Sequence, residues 1–111
     1  MVRYWSVEEA RAHLPRLREL LSRVRAGAAG AAHVQTNGHR SPGAGAAAAL
    51  EELSEGDIIL RDVDAGIVDY PARGVDGVVY HLCWRDPEDD LTWWHLPEEG
   101  FAGRKPLPRQ P

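Results

Sequence analysis

The chain is predicted to be α+β, an N-terminal helical hairpin packed with a small antiparallel β-sheet. Three observations carry this reading. Apolar residues recur at spacings of three and four across residues 10–24, as on one face of a helix. A Gly/Ala-rich stretch then leads to a second, shorter helical pattern. From Asp57 onward the period changes to two, as in half-buried strands. At 111 residues, 43% hydrophobic and 27% charged, the chain is expected to form a single domain spanning residues 1–111.

The first helix opens at Ser6, an N-cap residue, with Glu9 placed to close a capping box. Ala10, Leu14, Leu17, Leu21 and Val24 form its apolar stripe, which Leu20 widens. Arg11, Arg18 and Arg25 repeat every seven residues along the edge of that stripe. Pro15 interrupts the pattern, because an interior proline costs a helix about 3 kcal/mol and removes a backbone bond. A kink is expected there, or a main helix that starts near Pro15. Gly27 is read as the stop.

A flexible linker is expected over about 27–45, where small residues offer little to bury. His33 and His39 sit in it without companions at metal-ligand spacing. The second helix is expected from about Ala46 to Ser54, with Leu50 and Leu53 on one face and Gly56 as its stop. Its Glu51, Glu52 and Glu55 would face the arginine rows of the first helix. The leucine seam would hold the pair together, since exposed ion pairs contribute only about 0–1 kcal/mol each. The same seam could be completed by another subunit, so the expected partner is a second copy or another protein, docked through the helices.

The sheet is expected over 57–96. "DIILRDV" reads as a short buried strand. "GVVYHLCWR" alternates, with Val78, Tyr80, Leu82 and Trp84 on one face and Val79, His81, Cys83 and Arg85 on the other. "DPEDD" is the turn and "LTWWHL" the returning strand, with Trp84, Trp93, Trp94 and Phe101 supplying the sheet core. The tail, 104–111, is expected to fray.

Charge is segregated. Residues 1–26 carry six arginines against three glutamates, and residues 51–101 carry fourteen acids against three arginines. A phosphate backbone would be repelled by that acidic majority, so nucleic acid is not an expected partner. No apolar run nears the roughly 20 residues a bilayer requires. No leader is expected ahead of the first helix, because Arg3 is followed at once by an amphipathic pattern. The single cysteine, Cys83, agrees with a reducing compartment, and a cytoplasmic protein is expected.

No catalytic set stands out: phosphate loops, nucleophile elbows and zinc cysteine clusters are all missing from the sequence. "RDVDAGIVDYPA" instead concentrates Asp62, Asp64 and Asp69 in a largely apolar run. A calcium loop is excluded because Gly66 comes too early and Arg73 stands where the bidentate Glu belongs. On one strand Asp62 and Asp64 would share a face, roughly 7 Å apart, and suit a divalent ion with His95 or Glu98 as a further ligand. The bland alternative is a solvated bend, with either acid capping a turn at Ala65–Gly66.

Asp69 has apolar neighbours and needs a partner. Arg104 or Arg73 would make it an ion pair, or Arg104 the centre of an anion site, and an acid–base role remains a third reading. His95 is either a hydrogen-bonded packing residue or a ligand oriented by Asp69 and Glu98, and His81 could pair with it if their faces coincide. The candidate pocket therefore gathers Asp69, His95 and Arg104 at one end of the sheet. Cys83 reads as a small buried hydrophobe. No cofactor is required, and a divalent metal is the one the acids would admit. A metal-dependent, hydrolase-like enzyme is the rival of the binding module.

Several stretches together resemble the bacterial domain-of-unknown-function family 2203. They are "WSVEEARAHLPRLRELL", "DVDAGIVDYPA", "YHLCWR" and "WWHLPEEGFAGRKPL". The matching positions are Leu14 and Pro15; Asp62, Asp64, Gly66, Asp69, Tyr70 and Pro71; Leu82, Cys83 and Trp84; and Trp94, His95, Gly100, Phe101, Gly103 and Arg104. The resemblance implies a shared fold, in which Gly66, Pro71, Trp84, Trp94, Gly100, Phe101 and Gly103 are structural, and no particular activity. Where the family continues in a long charged helix, this chain has its Gly/Ala stretch.

Overall fold

The computed structural model describes residues 1–32 and 44–110. His33 and His39 lie outside the described residues. Helix α1 (Val7–Ala32) is followed by helix α2 (Ala44–Glu55), then by strands β1 (Ile59–Asp62), β2 (Ile67–Arg73), β3 (Val79–Arg85), β4 (Trp93–His95) and β5 (Lys105–Pro106). The strands form one antiparallel sheet in the order β1-β2-β3-β4-β5. The fold is α+β, with two helices and a five-stranded antiparallel sheet.

Helix α1 starts as its capping box dictates: Glu9 N–H donates to Ser6 Oγ over 3.0 Å, and Ser6 N–H donates to Glu9 Oε1 over 2.9 Å. The helix then runs unbroken through Pro15, which points to solvent. Leu14, Leu17, Leu20 and Leu21 are all buried, and each contributes roughly 1.5–3 kcal/mol, enough together to outweigh the proline.

Gly27 does not end α1. It lies inside the helix where α1 crosses α2, and a side chain there would run into Ala46. The close approach, not a stop, requires glycine at that position. Of the expected linker, residues 27–32 and 44–45 are helical, and the rest lies outside the described residues.

Helix α2 presents Ala49 and Leu53 to the core and leaves Leu50 46% exposed, so the expected Leu50–Leu53 face is rotated by one residue. Its end is a Schellman turn in which Ile58 N–H donates to Leu53 O and Asp57 N–H to Ser54 O, each over 3.0 Å. Asp57, with φ 57°, takes the left-handed position that the sequence assigned to Gly56. Gly56 instead makes room for Trp5, whose Nε1–H donates to the Gly56 carbonyl over 2.8 Å.

The arginine row of α1 does not face α2 either. Arg16, outside the heptad, makes the bidentate pair with Glu52 at 2.7 and 2.6 Å. Arg11 donates to the Leu91 carbonyl, Arg18 to the Glu88 and Asp89 carbonyls, and Arg25 to Asp86 Oδ2 and the Val63 and Asp64 carbonyls. The row clamps the helix to the acidic turn of the sheet. The α1 stripe is thus filled within the chain, by α2 and by Val68, Tyr70, Leu82, Trp84 and Leu91.

Of the expected aromatic core only Trp84 is fully buried. Trp93 and Trp94 are half-buried under Arg104 and Lys105, with ring-centroid distances of 4.9 Å in both cases. The tail is tied down: β5 pairs with β4, Leu107 N–H donates to the Thr92 carbonyl, and Arg109 binds Asp76 at 2.8 Å.

The largest departure is β2. "IVDYPAR" carries no expected strand of its own within the 57–96 sheet, but it is the strand that joins β1 to β3, and five of its seven residues are buried. Pro71 is tolerated because β1 has already ended beside it, and its carbonyl accepts from Trp5 N–H over 2.7 Å.

Candidate metal centre

Alternation along β2, β3 and β4 sends Val68, Tyr70, Leu82 and Trp84 towards the helices. The same alternation sends Asp69, His81, Cys83 and His95 to the opposite face. Register completes the arrangement. Asp69 pairs with Cys83, and His81, two residues away on β3, pairs with His95. The two imidazole rings meet edge to face, 5.5 Å between centroids.

The Asp69 carboxylate is the hub. Its Oδ1 lies 3.0 Å from His95 Nε2, and its Oδ2 lies 2.7 Å from Arg61 Nε and 3.3 Å from His81 Nδ1. Arg61 Nη2 is also 3.3 Å from His81 Nδ1. Asp69 and His95 are wholly buried, whereas His81 is 7% exposed. Burial pushes the Asp69 pKa up, but the hydrogen bonds with His81, Arg61 and His95 more than reverse it, leaving it at about 2. Asp69 is therefore an anion at neutral pH. Burial, reinforced by that anion, pushes the Cys83 thiol up to about 12, so its sulfur is an inert neighbour.

His95 is oriented from behind. Its Nδ1 lies 2.7 Å from the Leu96 carbonyl, which only accepts, so Nδ1 carries the proton. Nε2 then donates to the Asp69 carboxylate when it too carries a proton, and a cation between the two atoms can take that proton's place. A backbone carbonyl on one imidazole nitrogen, with the other aimed inward, is also the usual outer support of a metal-bound histidine.

One ligand atom each from Asp69, His81 and His95 lies within 4.8 Å of the others, the one such grouping among the described residues. A tetrahedral ion about 2.0–2.1 Å from its ligands holds them roughly 3.4 Å apart. The two carboxylate–imidazole separations, 3.0 Å to Oδ1 and 3.3 Å to Oδ2, run to different oxygens, so the side chains must draw together as an ion enters. Two imidazoles and a carboxylate suit divalent first-row ions such as Zn²⁺, Fe²⁺ or Mn²⁺.

Two members of the expected pocket thus meet and the third does not. Arg104 binds Glu88 Oε1 at 2.6 Å and the Cys83 carbonyl at 3.3 Å, and it stacks on Phe101 and Trp93. Arg61 takes its place, and Arg73 is not the partner either. The sequence gives little sign of Arg61, because only the pairing of β1 with β2, Ile59 opposite Asp69, brings it diagonally beside that carboxylate.

The other expected metal ligands are elsewhere. Asp62 Oδ1 accepts from Ala65 N–H over 2.9 Å, capping the β1–β2 turn, while Asp64 and Glu98 point to solvent. Gly66, with φ 71°, closes that turn against Arg25 and Asp86. Gly100, with φ 70°, and Gly103 frame the short turn that carries Phe101.

No helix among the described residues is long and apolar enough to cross a membrane. Comparison with curated proteins and with solved structures gives no match. A family model described as "Uncharacterized conserved protein (DUF2203)" matches residues 30–107. That span holds every residue of the Asp69 cluster and leaves most of α1 outside it. Covering about seven-tenths of the sequence, the match makes this chain a member of the DUF2203 family.

Proposed function

We propose that this chain binds one divalent first-row metal ion through Asp69, His81 and His95. The supporting observation is the convergence of a buried carboxylate with two buried imidazoles, one of them held by the Leu96 carbonyl so that Nε2 faces the carboxylate. In the metal-free form Arg61 balances the Asp69 charge. Its side chain is 38% exposed, so it can turn towards solvent as an ion takes up the carboxylate oxygen. Three protein ligands leave coordination positions open to water or a substrate oxygen, which is what Lewis-acid hydrolysis requires. The helical seam that might have bound a second subunit is occupied within the chain, so metal binding is the reading the geometry favours.

The test is titration of metal-free protein with Zn²⁺, followed by calorimetry and thermal melting. One ion per chain is expected, and a hundredfold excess over Kd adds about 2.7 kcal/mol, raising Tm by roughly 10 °C or more. Asp69→Asn and His95→Gln should each abolish the shift. Uptake that is absent, or that survives both substitutions, refutes the assignment.

A further inference from the structure

Asp69 and His95 are sealed, so a ligand can approach the cluster only from the side of His81 and Arg61. A depression of about 380 Å³ opens there. Ile59, Pro71, Val79 and His81 floor it, and Tyr4 and Pro97 wall it. Its size falls at the lower end of small-molecule sites, roughly 300–1,000 Å³. Its surface is mainly apolar, and His81 in its lining lies 3.3 Å from Nη2 of Arg61, which stands behind it. Asp57 at the rim is already engaged, its Oδ2 accepting from Arg3 N–H over 2.6 Å.

The geometry points to a small organic acid as the ligand of this depression, its apolar body on Ile59, Pro71 and Val79 and its carboxylate directed past His81 to Arg61 and the bound ion. The assignment of the head group rests on the metal reading, whereas the body is recognised by the depression itself. Arg61 suits the head in either state, because its planar guanidinium can leave Asp69 and grip an incoming carboxylate with two parallel hydrogen bonds. Water is a weaker competitor for such a site than for an open surface, because the apolar floor offers it no partner.

The probe is benzoate, titrated into zinc-loaded protein by calorimetry. Acetate serves as the head without the body, and benzyl alcohol as the body without the charge. Benzoate should bind at least tenfold more tightly than either. Val79→Glu should weaken it at least tenfold while still taking up one zinc ion with an unchanged circular dichroism spectrum. Ile59→Glu repeats the test should Val79→Glu not fold. Benzoate binding no tighter than acetate, or unmoved by both substitutions, overturns the proposal. Zinc uptake is read separately on the same samples. If zinc fails to bind, metal-free protein is titrated: benzoate binding that is lost in Arg61→Met upholds the depression as an acid site, and its absence overturns it.

Discussion

Arg61 donates to Asp69 across 2.7 Å, yet the two side chains sit in opposite surroundings, 38% and 0% exposed. The arginine can recover hydration if it loses its partner, and the carboxylate cannot. Arg61→Met should therefore cost about 3 kcal/mol, because it leaves the buried Asp69 carboxylate without its guanidinium. Asp69→Ala should cost less, about 1–2 kcal/mol, since Arg61 can turn to solvent and only the imidazole contacts are lost. Urea denaturation of the two variants gives the ranking. The reverse order would show that the imidazoles, not Arg61, support the carboxylate.

Acid should weaken the fold in two stages. Burial lowers the His13 pKa, against the opposing charge of Glu52, so protonation favours the unfolded chain and stability begins to fall below about pH 6.5. Asp69 acts lower. Its folded value of about 2 lies beneath the unfolded 3.8, so its contribution is complete above about pH 4 and is lost as the pH falls towards 2. That loss amounts to about 2 kcal/mol. Glu52, Glu99 and Asp76, held low by Arg16, Lys105 and Arg109, broaden the lower stage. In melts of metal-free protein from pH 8 to 2, His13→Gln should remove the upper stage and Asp69→Asn should shrink the lower one.

How far the sequence could reveal this architecture depended on whether each position answered to local or to long-range forces. The α1 stripe and its capping box are local, so spacing and residue type suffice to find them. Strand β2 escaped because Pro71, placed for the N-terminal segment, argues against a central strand although Val68, Asp69 and Tyr70 alternate. Leu50 and Ala49 exchanged roles because the buried face of a short helix is set by how it docks, as the tight Gly27–Ala46 crossing requires. At the site Asp69 and His95 were legible as an embedded acid and a strand-end imidazole. His81 was legible as a companion to His95, conditional on register. Arg61 was not, since only the register of β1 against β2 brings it beside Asp69.

Pro15 offers a test of the helix itself. It points to solvent from an unbroken α1, where it denies the Arg11 carbonyl an intrahelical donor and packs against nothing in the core. Alanine restores that bond and the better propensity, about 3 kcal/mol, partly offset by a freer unfolded chain. Pro15→Ala should thus stabilise the protein by about 2 kcal/mol and raise Tm by roughly 10 °C. A drop in Tm would mean that the proline ring supports a contact in the fold.

Gly27 poses the opposite case, because propensity and packing pull in different directions. In an isolated helix alanine would be better than glycine by about 0.8–1 kcal/mol. At this crossing, however, the added methyl group would run into the Ala46 side chain, and overpacking of that kind costs about 1–3 kcal/mol. Gly27→Ala is accordingly expected to be net destabilising by about 1 kcal/mol. Ala46→Gly should itself destabilise, through lost propensity in α2, by a similar amount. Combined, the two place one methyl group at the crossing, as in the natural chain, so their costs should not add. A double-mutant cycle by chemical denaturation reads this directly: a coupling of about 1 kcal/mol or more establishes the close approach of α1 and α2, whereas strict additivity would separate the helices at this point.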